Sequence, residues 1–342
     1  MPQPLLTWQS LTLKLRNPFI LSYGTSDTRQ AFWIRLAGDE GWGEGTIPPY
    51  YGVDTAEMTA VWANAAQSGR PLPDDLAGIP AWVGSDGPAV ARCALELALH
   101  DRIGRRSGQP LYRLLGLPAP RPLPTSFTLS IDTPQAMAEM ARSLTQFSVL
   151  KVKLGSDDQD MARVAAVRAE RPEVKLRVDA NAGWQEEDAL RYMKELERFD
   201  LEMVEQPLEK HDIEGLGRVQ AHTTLPVVAD ESVQTMADVE RLGKAGVRGI
   251  NIKLMKTGGL TPALALIRRG RELGMGIMLG CMVETSLGTT AMAHLTGLAD
   301  WVDLDAPLLI ANDPFDGIHY GEGSVVNVPE RPGIGVLSNA AS

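Results

Sequence analysis

The chain has 342 residues, 44% hydrophobic and 22% charged, with 33 Lys plus Arg against 43 Asp plus Glu for a formal net charge of -10. That is too apolar for disorder and too acidic for a nucleic-acid surface, and no apolar run approaches the ~18 residues a membrane span needs. Two cysteines, Cys93 and Cys281, make no disulfide framework, and residues 1–15 lack a signal-like core, so a reducing cytoplasm is the expected compartment.

The first elements read as an α+β unit. Leu11, Leu13 and Leu15 alternate with polar residues, the period of a strand. A second strand is predicted at 31–36. A turn at 38–41 leads to a third strand through Trp42, giving a small antiparallel meander. Helical periodicity follows at 55–67 and again at 89–103. Pro118, Pro120, Pro122 and Pro124 then break the chain, which places a domain boundary near residue 120.

Beyond it, short β-like runs recur about every 25 residues, with amphipathic helix-length segments between them. They fall at 126–129, 149–154, 175–179, 203–205, 227–230, 250–254, 277–280 and 302–304. This predicts an α/β fold, a modified TIM barrel of (β/α)7β form over 121–311. No eighth barrel helix is evident after Asp305. The Gly/Pro-rich segment 312–342 is expected to return to the first domain.

What ends these strands is informative. The second ends in Lys151-Val152-Lys153, the third in Asp179, the fourth in Glu205, the fifth in Asp230. The sixth carries Lys253 and the eighth Asp303-Leu304-Asp305. Side chains at the C-terminal strand ends of a barrel converge on one mouth. Any one of these acids would read as a helix cap, and a lone K-x-K as a solvated edge. Three carboxylates on consecutive strands repel unless a cation neutralises them, and a hard divalent ion such as Mg²⁺ suits oxygen ligands. Lys153 and Lys253 lie four strands apart and are expected to face each other across the mouth. A metal on a substrate carboxylate stabilises the enediolate formed when the adjacent carbon loses its proton. Two opposed lysines then exchange that proton on opposite faces, and both need their pKa lowered, which a nearby metal and, for Lys153, Lys151 would do. Thr257-Gly258-Gly259 reads as a tight βα turn, Cys281 as a small buried filler, and His100 and His294 as structural.

These motifs, VLKVKLG (149–155), RVDANAGW (177–184), VEQPL (204–208), ADES (229–232), NIKLMKTGG (251–259), GCMVETSLG (280–288) and DLDAPLL (303–309), resemble the enolase superfamily in its muconate-lactonizing subgroup. Residues 1–120 would then be its capping domain. The D-x-D on the last strand looks like the dipeptide epimerases. The resemblance implies Lys153 and Lys253 as the acid/base pair and Asp179, Glu205 and Asp230 as ligands of one Mg²⁺ per subunit. It implies Lys151 and Thr128 on the substrate carboxylate side, with Asp303 and Asp305 on the free ammonium. A homo-oligomer acting on a small molecule is expected. The o-succinylbenzoate synthases, muconate cycloisomerases and N-acylamino-acid racemases of the same subgroup are the alternatives. A Schiff-base aldolase would not need three metal carboxylates, and a non-catalytic binding protein would not need every catalytic position filled.

One departure bears on the substrate. The Ala-Glu enzymes carry a glutamate-pairing arginine in the first-domain loop, where this sequence has Gly24. Tyr50 and Tyr51, in the loop 47–54, offer ring faces, with Asp54 as an anion for a cationic side chain. An uncharged or apolar second side chain is therefore expected, with Arg29 as the first suspect if a carboxylate is preferred instead.

Overall fold

The structure, a computed structural model, describes residues 4–339. Strands β1 (Leu6–Leu21), β2 (Gly24–Leu36) and β3 (Trp42–Thr46) form an antiparallel sheet in that order. The first strand is far longer than the alternation at 11–15 implies. Its pairing with β2 shifts register between Lys14 and Phe19, around Asn17-Pro18. Proline cannot donate to a ladder and is tolerated on an edge strand such as β1, and the hairpin resumes beyond the irregularity. Helices α1 (Thr55–Gln67), α2 (Gly78–Val83), α3 (Ala89–Ser107) and α4 (Leu111–Leu114) complete this unit. Sheet and helix meet as bare backbone: a Cβ on Gly43 would stand 2.0 Å from the Ala94 carbonyl oxygen.

The barrel strands are β4 (Phe127–Leu129), β5 (Val149–Lys153), β6 (Lys175–Asp179), β7 (Leu201–Glu205), β8 (Val227–Ala229), β9 (Gly249–Ile252), β10 (Gly276–Gly280) and β11 (Trp301–Asp303). They are parallel and adjacent in sequence order, and a parallel bridge from Thr125 to Val302 links the last strand to the first. Between them run α5 (Pro134–Ser143), α6 (Asp160–Glu170), α7 (Glu186–Leu196), α8 (Ile213–Ala221), α9 (Met236–Lys244), α10 (Leu254–Thr257), α11 (Leu260–Glu272) and α12 (Ser286–Ala293). A single helical turn, α13 (Ala306–Leu309), follows β11 where the sequence shows no periodicity, because four residues are too few to display one.

Period two sorts the strand residues. Leu150, Val152, Leu176 and Val178 face the helices in the main core, while Met203, Val228 and Met278 form a separate cluster with Trp301. The functional side chains share the parity of that second set: Glu205 follows Met203 by two, and Asp230 follows Val228 by two.

The C-terminal segment supplies two small antiparallel pairs, β12 (Phe315–Asp316) with β15 (Leu337–Ser338) and, between them in sequence, β13 (His319–Tyr320) with β14 (Val326–Asn327). Phe315 packs edge-on against Trp33 at 5.0 Å between centroids, and Trp33 against Trp42 at 5.1 Å. Such aromatic pairs contribute roughly 0.5–1.5 kcal/mol each beyond area burial. The first unit also clasps the barrel by carboxylates. Glu44 accepts the N–H groups of Thr285 and Gly288 at the start of α12, at 2.9 and 3.0 Å. Glu96 accepts the Thr261 N–H at the start of α11, at 2.8 Å. A carboxylate is favoured at a helix N-terminus, where unpaired N–H groups point outward. Its presence leaves the Thr257-Gly258-Gly259 turn no room to act as an anion loop.

Candidate active site

The parallel register sets Lys153 beside Asp179 and Asp179 beside Glu205, so their side chains leave three neighbouring strands at one level. Asp230 lies one residue beyond β8 and Lys253 one beyond β9. The loops after the strands turn sharply. Asn181, Ala182 and Gln206 all have positive φ, 42°, 58° and 36°. Gln206 is held there because its amide oxygen accepts the Asp230 N–H at 2.9 Å and its amide nitrogen donates to Ser232 Oγ at 2.8 Å. Strain at such positions persists only where surrounding bonds over-determine it.

The site is dense with charge. Asp179, Glu205, Asp230, Glu231, Asp303 and Asp305 are buried together with Lys151, Lys153, Lys253 and Lys256. Lys151 Nζ lies 3.1 Å from Asp179, 2.7 Å from Glu205 and 2.7 Å from Asp303. Lys153 Nζ donates to Asp179 at 2.6 Å and Lys253 Nζ to Asp230 at 2.8 Å. Lys256 donates to the Asp230 carboxylate and carbonyl. Asn251 Nδ2 donates to Glu205 Oε1 at 2.7 Å.

These contacts set the protonation states. Burial works against charge on Asp179 and Asp230, but their lysines outweigh it and hold both below the usual carboxylate range. Burial and then Asp179 push Glu205 up to about 7. Burial and then Asp230 push Glu231 up to about 7. Asp303 sits near 2, because Lys151 overcomes its burial. Asp305 is pushed up to about 6 by burial and by Asp303. Burial opposes charge on Lys253 too, yet Asp230 prevails and raises it, the reverse of the lowering expected from sequence. That expectation assumed a metal ion repelling the ammonium; the protein groups alone attract it.

Among the described residues, no three carboxylates stand close enough to form a ready-made cage, since Lys151 bridges Asp179 and Glu205. The residues nevertheless fit a hard divalent cation in kind and charge. Six buried carboxylates against four buried ammonium groups and the buried Arg29 guanidinium leave an excess of one negative charge. Glu205 Oε2 is buried without a hydrogen bond: Lys151 Nζ is 2.7 Å away but misdirected, a charge contact only. All donors are oxygens, the preference of Mg²⁺.

The capping unit covers this mouth. Ser22 Oγ, at the tip of the β1–β2 hairpin, donates to the Asn181 carbonyl at 2.8 Å, and Tyr23 OH donates to Glu231 at 3.3 Å. Tyr23 stacks on Tyr50 at 4.6 Å, and Tyr50 leans on Tyr51 at 5.2 Å. Tyr50 is 42% exposed, but its hydroxyl lies deeper, and burial pushes it up to about 12. The cavity beneath is lined by Thr128, Lys151, Lys153, Lys253, Asp303, Asp305 and Tyr50, and also by Arg29 and Cys281. Tyr51 is half-buried beside Tyr50 rather than in that lining. Asp54, outside that lining, caps α1 by accepting the Ala56 N–H at 2.8 Å. His100 and His294 bond backbone carbonyls of Glu96 and Ile334. Lys256, Glu231, Asn251 and Tyr23 were not singled out from sequence. The one signal for Lys256 is its i+3 spacing from Lys253 in KLMK.

A family model for the enolase C-terminal domain-like proteins matches residues 135–341. An L-Ala-D/L-Glu epimerase of Bacteroides thetaiotaomicron is 36% identical over 97% of this chain and 87% of its own. The Bacillus subtilis L-Ala-D/L-Glu epimerase, solved with a substrate ligand, superposes with a TM-score of 0.91 at 33% identity over the whole of both chains. A dipeptide epimerase of Cytophaga hutchinsonii, solved with Mg and D-Ala-L-Val, gives a TM-score of 0.92 at 28% identity over 99% of this chain and 96% of that one. The chain belongs to the enolase superfamily, alongside its dipeptide epimerases.

Proposed function

We propose that the chain is a Mg²⁺-dependent dipeptide epimerase that inverts the α-carbon of the C-terminal residue. The observation that carries this reading is the buried set of Lys153 and Lys253 lining one cavity, each bonded to a different carboxylate of an over-negative mouth. In this reading Asp179, Glu205 and Asp230 hold one Mg²⁺ per subunit of a homo-oligomer. Bound there, the ion supplies Lewis-acid stabilisation of charge on the substrate carboxylate.

The chain's own residues do the rest. Lys151 and Thr128 orient the substrate carboxylate. Asp305, with Asp303 behind it, pairs with the free ammonium. One of Lys153 and Lys253, neutral, takes the α-proton to its Nζ. The other, as ammonium, gives a proton to the opposite face, and the roles swap in the reverse direction, so no net proton is consumed. Tyr23, Tyr50 and Tyr51, with the rest of the capping domain (1–120), keep water from the barrel mouth (121–311), while 312–342 fastens the two.

The o-succinylbenzoate synthase and muconate cycloisomerase readings leave Asp305 only its bond to the Thr128 N–H and no ligand to hold, because those substrates carry no ammonium. Incubating the protein with Mg²⁺ and a dipeptide set in D₂O tests the proposal. Deuterium should enter the second residue's α-position as the two diastereomers interconvert. A protein that cyclises or dehydrates an acid but exchanges no dipeptide would overturn it.

A further inference from the structure

Arg29 lies on β2 with only 7% of its surface exposed. It shares a strand face with Ala31, which packs on Leu13, Val283 and Ile310, so that face looks toward the barrel. Arg29 lines the cavity that also holds Lys153, Lys253, Tyr50 and Asp305. Its contacts there are few. Nη2 donates to Ser26 Oγ at 3.1 Å, and Nε is buried with no partner. Among the described residues no carboxylate pairs with it; burial lowers its pKa and only Tyr50 acts the other way.

A buried cation without an anion is unfavourable, and proteins keep one where something else completes it. Every lysine of the mouth already has a carboxylate. Arg29 alone does not, and it reaches the cavity from the capping side. On the epimerase reading, the barrel end takes the substrate's carboxylate, and Asp305 its ammonium. The group left to meet the capping side is the second side chain.

We propose that Arg29 is the specificity-determining cation of this enzyme, selecting a dipeptide whose second residue carries a carboxylate side chain. This rests on the epimerase reading and reverses the sequence-based expectation of an uncharged side chain. Planar guanidinium donors match a carboxylate two-to-two, whereas an amide offers one acceptor and repels with its own N–H groups.

The test compares L-Ala-L-Glu with L-Ala-L-Gln, which differ by that charge alone, using α-deuterium exchange to obtain kcat/KM for wild type, Arg29→Met and Arg29→Lys. Wild type should favour Glu over Gln by ~10–150-fold, the range of a charge-assisted contact. Arg29→Met should bring the ratio near one, chiefly through KM for the Glu substrate, and Arg29→Lys should restore part of it. A wild-type ratio near one, or a ratio that Arg29→Met preserves, would overturn the assignment. The wild-type and Arg29→Lys ratios decide the matter even if Arg29→Met does not fold. Exchange in no dipeptide at all would instead overturn the epimerase reading, and this assignment with it.

Discussion

The Asp305 carboxylate accepts the backbone N–H of Thr128 at 2.8 Å, tying the end of the last barrel strand to the first. That bond leaves one oxygen of Asp305 for a ligand, while Asp303 is spent on Lys151 and Ser126. Asp305 should therefore hold the substrate ammonium more than Asp303 does. Replacing Asp305 by Asn should lower kcat/KM for free dipeptides by ~10–150-fold. It should also narrow the gap to N-acetylated ones, which wild type should reject. Burial raises the Asp305 carboxyl to about 6. It accepts an ammonium only when charged, so kcat/KM on free dipeptides should fall as pH drops through about 6. A flat profile from pH 8 to 5 would count against this role.

Glu205 carries the surplus negative charge of the mouth. Its carboxyl is raised to about 7 by burial and Asp179, so without metal the fold favours its protonated form. The stability this costs appears as pH rises from about 4.5 through 7. In chelator at pH 8, Glu205→Gln should melt at least as high as wild type. Added Mg²⁺ should stabilise wild type, by about 2.7 kcal/mol at 100 times its dissociation constant, and not the variant. Equal Mg²⁺ responses by calorimetry would remove Glu205 from the ligand set.

His294 is wholly buried, donates to or accepts nothing charged, and is pushed down to about 4 by burial. Because the folded state resists protonating it, its stabilisation is present above about 6.5 and is lost as pH falls toward 4. His294→Gln should lose melting temperature at neutral pH but close the gap with wild type near pH 5. A gap that stays constant with pH would show that His294 does not titrate on unfolding.

Gly43 lets β3 touch α3, with the Ala94 carbonyl oxygen 2.0 Å from where a Cβ would stand. No flexible side chain can move aside there. Gly43→Ala should destabilise by roughly 3 kcal/mol, read from urea midpoints, because overpacking against backbone has no local relief. A loss within 0.5 kcal/mol would mean the helix shifts freely.

The barrel was legible in the sequence because the strands recur at one spacing and most of them end in a residue that a strand end seldom needs. Lys151-x-Lys153, Asp179, Glu205, Asp230 and Lys253 stand out for that reason, and the structure brings all of them to one mouth. Lys256 was hidden: it lies in a four-residue helix too short to show a face, and its partner Asp230 is distant in sequence. Arg29 was hidden differently. Strand alternation shows that it shares a face with Ala31, but only the closing of the β1–β2 hairpin over the barrel shows what that face meets. The Asn17-Pro18 interruption, which made β1 look short, obscured the same hairpin.

The account rests on two lysines acting from opposite faces of one carbon. The direct measurement is α-deuterium incorporation from D₂O, with Mg²⁺ present, into each diastereomer of a turned-over dipeptide by Lys153→Ala and Lys253→Ala. Both variants should lose interconversion by at least ~10²-fold, the usual contribution of a positioned acid or base. Each should retain exchange into one diastereomer, and the two should differ in which one. Exchange into the same diastereomer by both variants, or continued epimerisation by either, would contradict the opposed-lysine mechanism.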